Sequence, residues 1–252
     1  MKKILFVFAL CFLFISCNEY DKDIEDKTPV VTISFDHKLV SSNSMTRSEG
    51  NEFLDIIEKQ TSDYIDVTLK NLDLNKTYTC KSNETITIPI GNYEISGIYN
   101  AHAVGGSNVD IYEAPCLKCN KFAINITSKN NNITLNVYYN CYVVFALIDE
   151  CKDCEVKYND QSHPTLCKYG KYFYGYFKDE QQYMHDDNIN IMITPYDDST
   201  EFITTTYVFS TTYDINKVFA EYGKYYVVHP QKVDKTTSSF NMNLEKMEEG
   251  EI

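Results

Sequence analysis

The chain has no tryptophan, one arginine and five histidines in 252 residues. Without tryptophan, the broadest aromatic plane for stacking on sugar rings is missing, which counts against a carbohydrate-binding surface. No G-x-S-x-G elbow, phosphate-cradling glycine loop, H-E-x-x-H pair or dinucleotide fingerprint occurs. The acidic pairs Asp186-Asp187 and Asp197-Asp198 read as solvated faces or weak calcium ligands, so the expectation is a non-enzyme without a cofactor. Basic charge is also scarce, with a formal net charge of −13. Removing residues 1–16 takes away Lys2 and Lys3 and leaves 21 basic against 36 acidic residues, a net charge of about −15. Such a chain repels nucleic acid and anionic headgroups, which excludes a nucleic-acid partner. The most apolar run, Ile4 to Ile15, is too short to span a bilayer comfortably.

What is present begins with that run. Lys2-Lys3, the apolar stretch and Ser16-Cys17 form a secretory signal, residues 1–16. The tetrad Phe14-Ile15-Ser16-Cys17 resembles a bacterial lipobox, which implies that Cys17 carries lipid and becomes the first mature residue. The protein would then be anchored to a membrane rather than spanning it, with an uncleaved anchor helix as the alternative. Residues 17–28 hold Glu19, Asp21, Asp23, Glu25 and Asp26 against Lys22 and Lys27 and form an acidic tether. An acidic patch after a lipidated cysteine resembles the surface-export signal of Bacteroidales lipoproteins. The implied address is the outer membrane, lipid-anchored and facing the exterior, although an ordinary polar linker would read the same way.

The mature chain has β composition, with 21 tyrosines and recurrent Thr, Ile and Val. Period-two runs mark half-buried strands at Val31/Ile33/Phe35, Ile65/Val67/Leu69 and Ile86/Ile88/Ile90. Gly91-Asn92 between Thr85–Ile90 and Tyr93–Tyr99 predicts a hairpin. Later strands are expected at Lys121–Thr127, Ile133–Ile148, Lys171–Phe177, Ile189–Thr194, Phe202–Phe209, Lys224–Val228 and Ser238–Leu244. Sixteen extended residues from Ile133 would reach about 50 Å, too far for one small sandwich. Along that run Thr134, Asn136 and Asn140 give way to Tyr142, Val144, Ala146 and Ile148, which places a domain boundary near Asn140. Helical spacing appears at Asn51–Gln60 and at Asp214–Tyr222, the latter closed by Gly223. The expected fold is all-β: two tandem antiparallel β-sandwiches of immunoglobulin or transthyretin type, residues 29–140 and 141–252, with one or two short helices.

The lipobox at Cys17, the polar segment after it, the early strand Val30–Phe35, a loop containing Arg47 and the closing strand near Ser238–Leu244 together resemble the Bacteroidales fimbrillin-like (type V pilin) lipoproteins. The phrase Pro89-Ile90-Gly91-Asn92-Tyr93-Glu94-Ile95 also resembles a hairpin common in such surface proteins. The resemblance implies a fimbrial subunit, in a shaft, anchor or tip role, with other subunits as partners. It further implies that a cut after Arg47, the only arginine, releases the first strand and opens a groove for a neighbour's terminal strand. Phe240, Met242 and Leu244 would be the side chains that fill it. A plain linker with a solvated arginine is the alternative, and some subunits of the family remain uncut.

Cysteine spacing offers the one metal-like pattern. Cys116/Cys119 and Cys151/Cys154 are both C-x-x-C, and Cys151, Cys154, His163 and Cys167 have ligand types suited to zinc. Their spacing matches no knuckle, so disulfides or free thiols are expected instead. Tyr169, Tyr172, Phe173, Tyr174, Tyr176 and Phe177 crowd one strand, and exposed rings there would suit host or dietary glycans. Alternating Tyr and Phe are equally ordinary strand residues.

Overall fold

The computed structural model describes residues 28–40, 51–104, 111–129, 131–158, 161–178, 188–195, 202–210, 217–232 and 248–252. In chain order the elements are β1 (Val30–Leu39), α1 (Glu52–Gln60), β2 (Asp66–Asn71), β3 (Lys76–Lys81), β4 (Ile86–Pro89), β5 (Gly91–Tyr99), β6 (Ala103–Val104), β7 (Ile111–Tyr112), β8 (Leu117–Ile126) and β9 (Asn132–Tyr139). There follow β10 (Tyr142–Leu147), β11 (Cys151–Tyr158), β12 (Gln161–Thr165), β13 (Cys167–Tyr169), β14 (Tyr172–Phe177), β15 (Asn188–Pro195), β16 (Phe202–Ile203), β17 (Thr205–Ser210), β18 (Val218–Phe219), β19 (Lys224–Val228), β20 (Gln231–Lys232) and β21 (Glu248–Glu251). The described residues are nearly all β, with a single helix among them.

The first sheet runs β3-β2-β5-β8-β9-β1-β4. Its strands obey the alternation seen in sequence. Val67 and Leu69 of β2, and Ile133, Leu135 and Val137 of β9, point into one core with Ile33, Ile88, Tyr93 and Ile95. Thr68, Lys70, Thr134 and Asn136 face outward between them. Each buried aliphatic contributes about 1.5–3 kcal/mol.

The second sheet, β21-β19-β10-β14-β7-β6, is built differently. Tyr142, Val144 and Ala146 of β10, with Phe173 and Phe177 of β14, enter one core. Val143 and Phe145, with Tyr172, Tyr174 and Tyr176, enter another. The first of these cores is shared with a third sheet, β12-β11-β15-β17-β18, through Val156, Ile191, Ile193, Tyr207 and Phe209. The second is covered by α1 through Phe53, Ile56 and Ile57. A strand covered on both sides has no wet face, which is why Tyr142–Leu147 reads as a continuous apolar run. The run Ile133–Ile148 therefore breaks at Asn140–Cys141, and β9 belongs to the first sheet while β10 lies inside the second. From the N-terminal half of the chain, α1, β6 and β7 also pack with the second sheet.

Helix α1 is specified locally as well as by packing. The Asn51 side chain accepts from the Phe53 and Leu54 amides at 3.1 and 3.4 Å, and its Nδ2 donates to the Tyr225 hydroxyl at 2.7 Å. Glu52 and Asp55 occupy the first turn and Lys59 the last, as the helix dipole favours. The Phe53 ring sits 5.1 Å from Phe145 and Tyr172 and 5.3 Å from Tyr225.

Two sequence expectations fail. Residues 85–99 do not form a hairpin: β4 pairs with β1, whereas β5 pairs with β2 and β8. Gly91 (φ 150°) starts β5 instead of a turn, and a Cβ there would lie 2.6 Å from Asp73 Oδ2. That carboxylate accepts from the Asn92 amide at 2.7 Å, so the glycine is needed for a close approach between connections. The second helix also fails. Val218–Phe219 forms β18, parallel to β17, and the ladder continues through Ala220 N–H to the Ser210 carbonyl at 2.8 Å. Val218 is buried and Phe219 exposed, as a strand requires, so sheet pairing overrides the helical spacing. Gly223 (φ 78°) leads into β19 rather than ending a helix.

Candidate functional site

The candidate site is β1 and the slot it fills. Val30 to Ile33 pair antiparallel with Pro89 to Ile86 of β4. Ser34 to Leu39 then pair in parallel with Asn132 to Val137 of β9. One strand thus bridges two partners in opposite senses. Parallel neighbours are normally joined by a crossover, but here nearly a hundred residues separate the partners, since Ser34 and Asn132 lie 98 apart. The ladder is completed by Ser34 N–H to the Asn131 carbonyl and Val40 N–H to the Val137 carbonyl, both 2.8 Å. At the start of the strand, Ile90 N–H donates to the Pro29 carbonyl, also at 2.8 Å.

Side chains add little to this main-chain pairing. Only Ile33 and Phe35 of the ten residues are buried; Val31 and Leu39 pack partly against the same core. Polar contacts lie on the wet side: Thr32 to Thr87 at 2.7 Å, Ser34 Oγ to the Asn131 carbonyl at 3.1 Å, and Asn132 Nδ2 to Asp36 at 2.6 Å. Without β1, the edges of β4 and β9 would stand open above Ile88, Ile133, Leu135 and Val137. Two apolar side chains and a ladder of backbone bonds are what any strand with the right alternation can supply.

The other sequence-proposed residues fall as follows. Cys17, Arg47, Phe240, Met242 and Leu244 lie outside the described residues. Cys151 and Cys154 are fully buried in the core between the second and third sheets, whereas Cys167 packs on the α1 side of the second sheet. His163 is on the β12 backbone, with its side chain outside the description. The three thiols therefore do not converge, and among the described residues no group of three or more His, Cys, Asp or Glu could hold a metal ion. None of the seven described cysteines is bridged. Burial raises the Cys80 thiol to about 11 and Cys151 to about 12, and holds Cys141 and Cys154 well above the ordinary range.

The aromatic strand is overturned as a glycan platform. Tyr172, Phe173, Tyr174, Tyr176 and Phe177 are all buried, and of the six rings only Tyr169 is exposed. Their hydroxyls point inward to protein partners: Tyr174 donates to the Glu113 carbonyl at 3.1 Å and Tyr176 to Gln60 Oε1 at 2.6 Å. Burial pushes Tyr174 up to about 12 and Tyr176 higher still. The densest charged contact nearby is Glu52, which accepts from the Tyr172 hydroxyl and pairs with Lys171 at 3.1 Å. Those hydrogen bonds, Tyr172 first, hold Glu52 below the usual carboxylate range and pin the first turn of α1. Sequence inspection missed β21, whose Glu-Glu-Gly-Glu has no strand signature; it pairs with β19 at the sheet edge, where a Cβ on Gly250 would meet the Tyr225 ring at 2.3 Å.

No family model matches the chain, and no curated protein matches it. Several solved structures do. A "putative cell adhesion protein" of Bacteroides uniformis aligns at TM-score 0.40 and 10% identity over 66% of this chain and 84% of its own. The C-terminally truncated tip fimbrial protein of Porphyromonas gingivalis aligns at 0.40 and 7% over 82% and 96%. A "putative cell adhesion protein" of Bacteroides fragilis aligns at 0.35 and 9% over 84% and 99%. These three are named as adhesion or fimbrial proteins of Bacteroides and Porphyromonas.

Proposed function

We propose that the protein is an outer-membrane, surface-exposed lipoprotein that acts as a fimbrial subunit or adhesion component. It is held by lipid on Cys17 and assembles by exchange of its first strand. The observation that carries this is β1: ten residues bonded to β4 in one sense and to β9 in the other, with two buried side chains. Such a strand is separable, and its departure leaves a slot with two open edges over an apolar floor. Arg47, which follows β1 and precedes the well-anchored α1, is the residue whose cleavage would free it. The Ser238–Leu244 segment of a neighbour, with Phe240, Met242 and Leu244, is the proposed incoming strand. The role is binding and assembly rather than catalysis.

The test is digestion of the folded protein with an arginine-specific protease. The expected outcome is one cut, a resistant fragment beginning at Ser48, and polymers of that fragment that are lost when residues 238–252 are deleted. A cut fragment that stays monomeric at high concentration, or a truncated one that still polymerises, would overturn the exchange mechanism. Loss of fatty-acid labelling in Cys17→Ala tests the anchor separately. Glycan capture, the competing function, has no platform in the buried rings of β14.

A further inference from the structure

Two cysteines meet at the point where the chain leaves the first sheet for the second. Cys116 immediately precedes β8, Cys141 immediately precedes β10, and both are fully buried. In the reduced form the Cys116 amide donates to Cys141 Sγ at 3.3 Å, and Cys141 Sγ–H donates back to the Cys116 carbonyl at 3.6 Å. The β8–β9 register pairs Leu117 with Tyr139, and Asn140 N–H reaches the Cys116 carbonyl at 2.8 Å. Cys116 thus lies opposite Asn140, and Cys141 follows at the bend between β9 and β10, which turns its side chain into the same core as that of Cys116. A strand spacing of about 5 Å and a rise of about 3.3 Å put the two α-carbons roughly 6 Å apart. That falls inside the window of about 4.4–6.8 Å that a disulfide requires.

The other pairs do not fit. Cys154 and Cys167 are diagonal neighbours, since Leu166 N–H donates to the Cys154 carbonyl at 2.9 Å, but their side chains enter different cores on either side of the second sheet. Cys151 and Cys154 are three residues apart on one strand, roughly 10 Å of rise, which exceeds the disulfide limit even when a bulge shortens it. Cys80 on β3 and Cys119 on β8 are separated by β2 and β5, roughly 14 Å across the sheet.

We propose that Cys116 and Cys141 are a disulfide site, oxidised during folding in an oxidising compartment. The reaction is thiol–disulfide exchange. Both Sγ–H bonds break, one Sγ–Sγ bond forms, and the two electrons and two protons pass to a disulfide-bearing oxidant, an oxidoreductase or glutathione disulfide, which leaves as two thiols. Oxidation must precede burial, because a thiol this desolvated neither ionises readily nor admits an oxidant. The 25-residue span closed by the bond contains all of β8 and β9. It therefore staples the open end of the hairpin whose outer edge β1 occupies, and ties it to β19 through the Gly223 amide, which donates to the Cys141 carbonyl at 2.9 Å. This site stands whether or not β1 is exchanged.

The full chain, reduced and unfolded, is refolded in a glutathione buffer, unfolded again with iodoacetamide and digested with trypsin. Lys118 parts Cys116 from Cys119 and Lys152 parts Cys151 from Cys154, so a bridge joins peptides 82–118 and 130–152, and alkylated Cys151 within the second peptide places the bond at Cys141. The expected result is that linked pair as the dominant product, with Cys119, Cys151 and Cys154 alkylated. Cys116→Ser should release Cys141 to alkylation and lower the melting temperature by roughly 10 °C in oxidising buffer, with far less effect under dithiothreitol. Alkylated Cys116 and Cys141, a dominant link elsewhere, or an equal loss in both buffers would overturn the proposal.

Discussion

β9 and β10 are consecutive strands of one stretch of sequence, yet they live under different constraints. In β9 every second residue is wet, and its edge is completed by a strand from the far N-terminus. In β10 five of six residues are buried, and both faces are dry. The contrast teaches where exchange is affordable. Removing β1 uncovers two buried side chains, on the order of 3–6 kcal/mol of apolar burial, and takes away the one pairing of β4 among the described residues, which the proposed incoming strand would restore. Removing β14 would strip six buried residues from two cores at once. The proposed exchange would therefore belong to the first sheet, with the second as the fixed body.

The sharpest attempt to break that contrast is Phe145→Ala. Its ring is fully buried beside Phe53, Tyr172 and Tyr174, and the loss should be about 3–5 kcal/mol in urea unfolding. A loss below about 1 kcal/mol would mean the second sheet is not the fixed body. Ile33→Ala comes next, at about 2–4 kcal/mol, but its effect should be local. Hydrogen exchange should quicken at Ser34 and Val40 while Val143 to Phe145 stay protected; equal acceleration in both sheets would erase the distinction. Asn51→Ala removes the cap and the bond to Tyr225 and should cost about 1 kcal/mol, loosening α1 without freeing β1.

The smallest effect is electrostatic. Glu52 titrates below its ordinary 4.5, so its contacts with Tyr172 and Lys171 contribute stability above that pH. That contribution is lost as pH falls through the lowered folded value. The melting-temperature gap between the wild type and Glu52→Gln should accordingly narrow as pH falls below 4.5. A gap that persists there would mean the carboxylate charge is irrelevant to α1.

How legible all this was depends on the same contrast. Strands with one wet face announce themselves, as Val67/Leu69 and Ile133/Leu135/Val137 do, and the change at Asn140 marked the passage between sheets. The α1 helix was visible because its cap and apolar stripe are local. Pairing was not: nothing in Val30–Leu39 says that one half will lie antiparallel to β4 and the other parallel to β9. The Gly91-Asn92 hairpin was misread for that reason, since a glycine that admits the Asp73 carboxylate looks like a glycine that turns. The aromatic strand misled because burial on both faces is decided by α1 and the third sheet, which lie elsewhere in the chain. Polar edge strands such as Lys76–Lys81 and Glu248–Glu251 carry too few apolar residues to be seen.

The central claim is that β1 occupies a slot that another copy's strand can take. It is tested most directly by sedimentation of the Arg47-cleaved protein with and without a synthetic peptide of residues 28–40. Competition for the slot predicts polymers that the peptide returns to monomers in a concentration-dependent way, while a peptide with Ile33 and Phe35 changed to Asp has no effect. Polymers indifferent to the native peptide, or suppressed equally by both peptides, would contradict it.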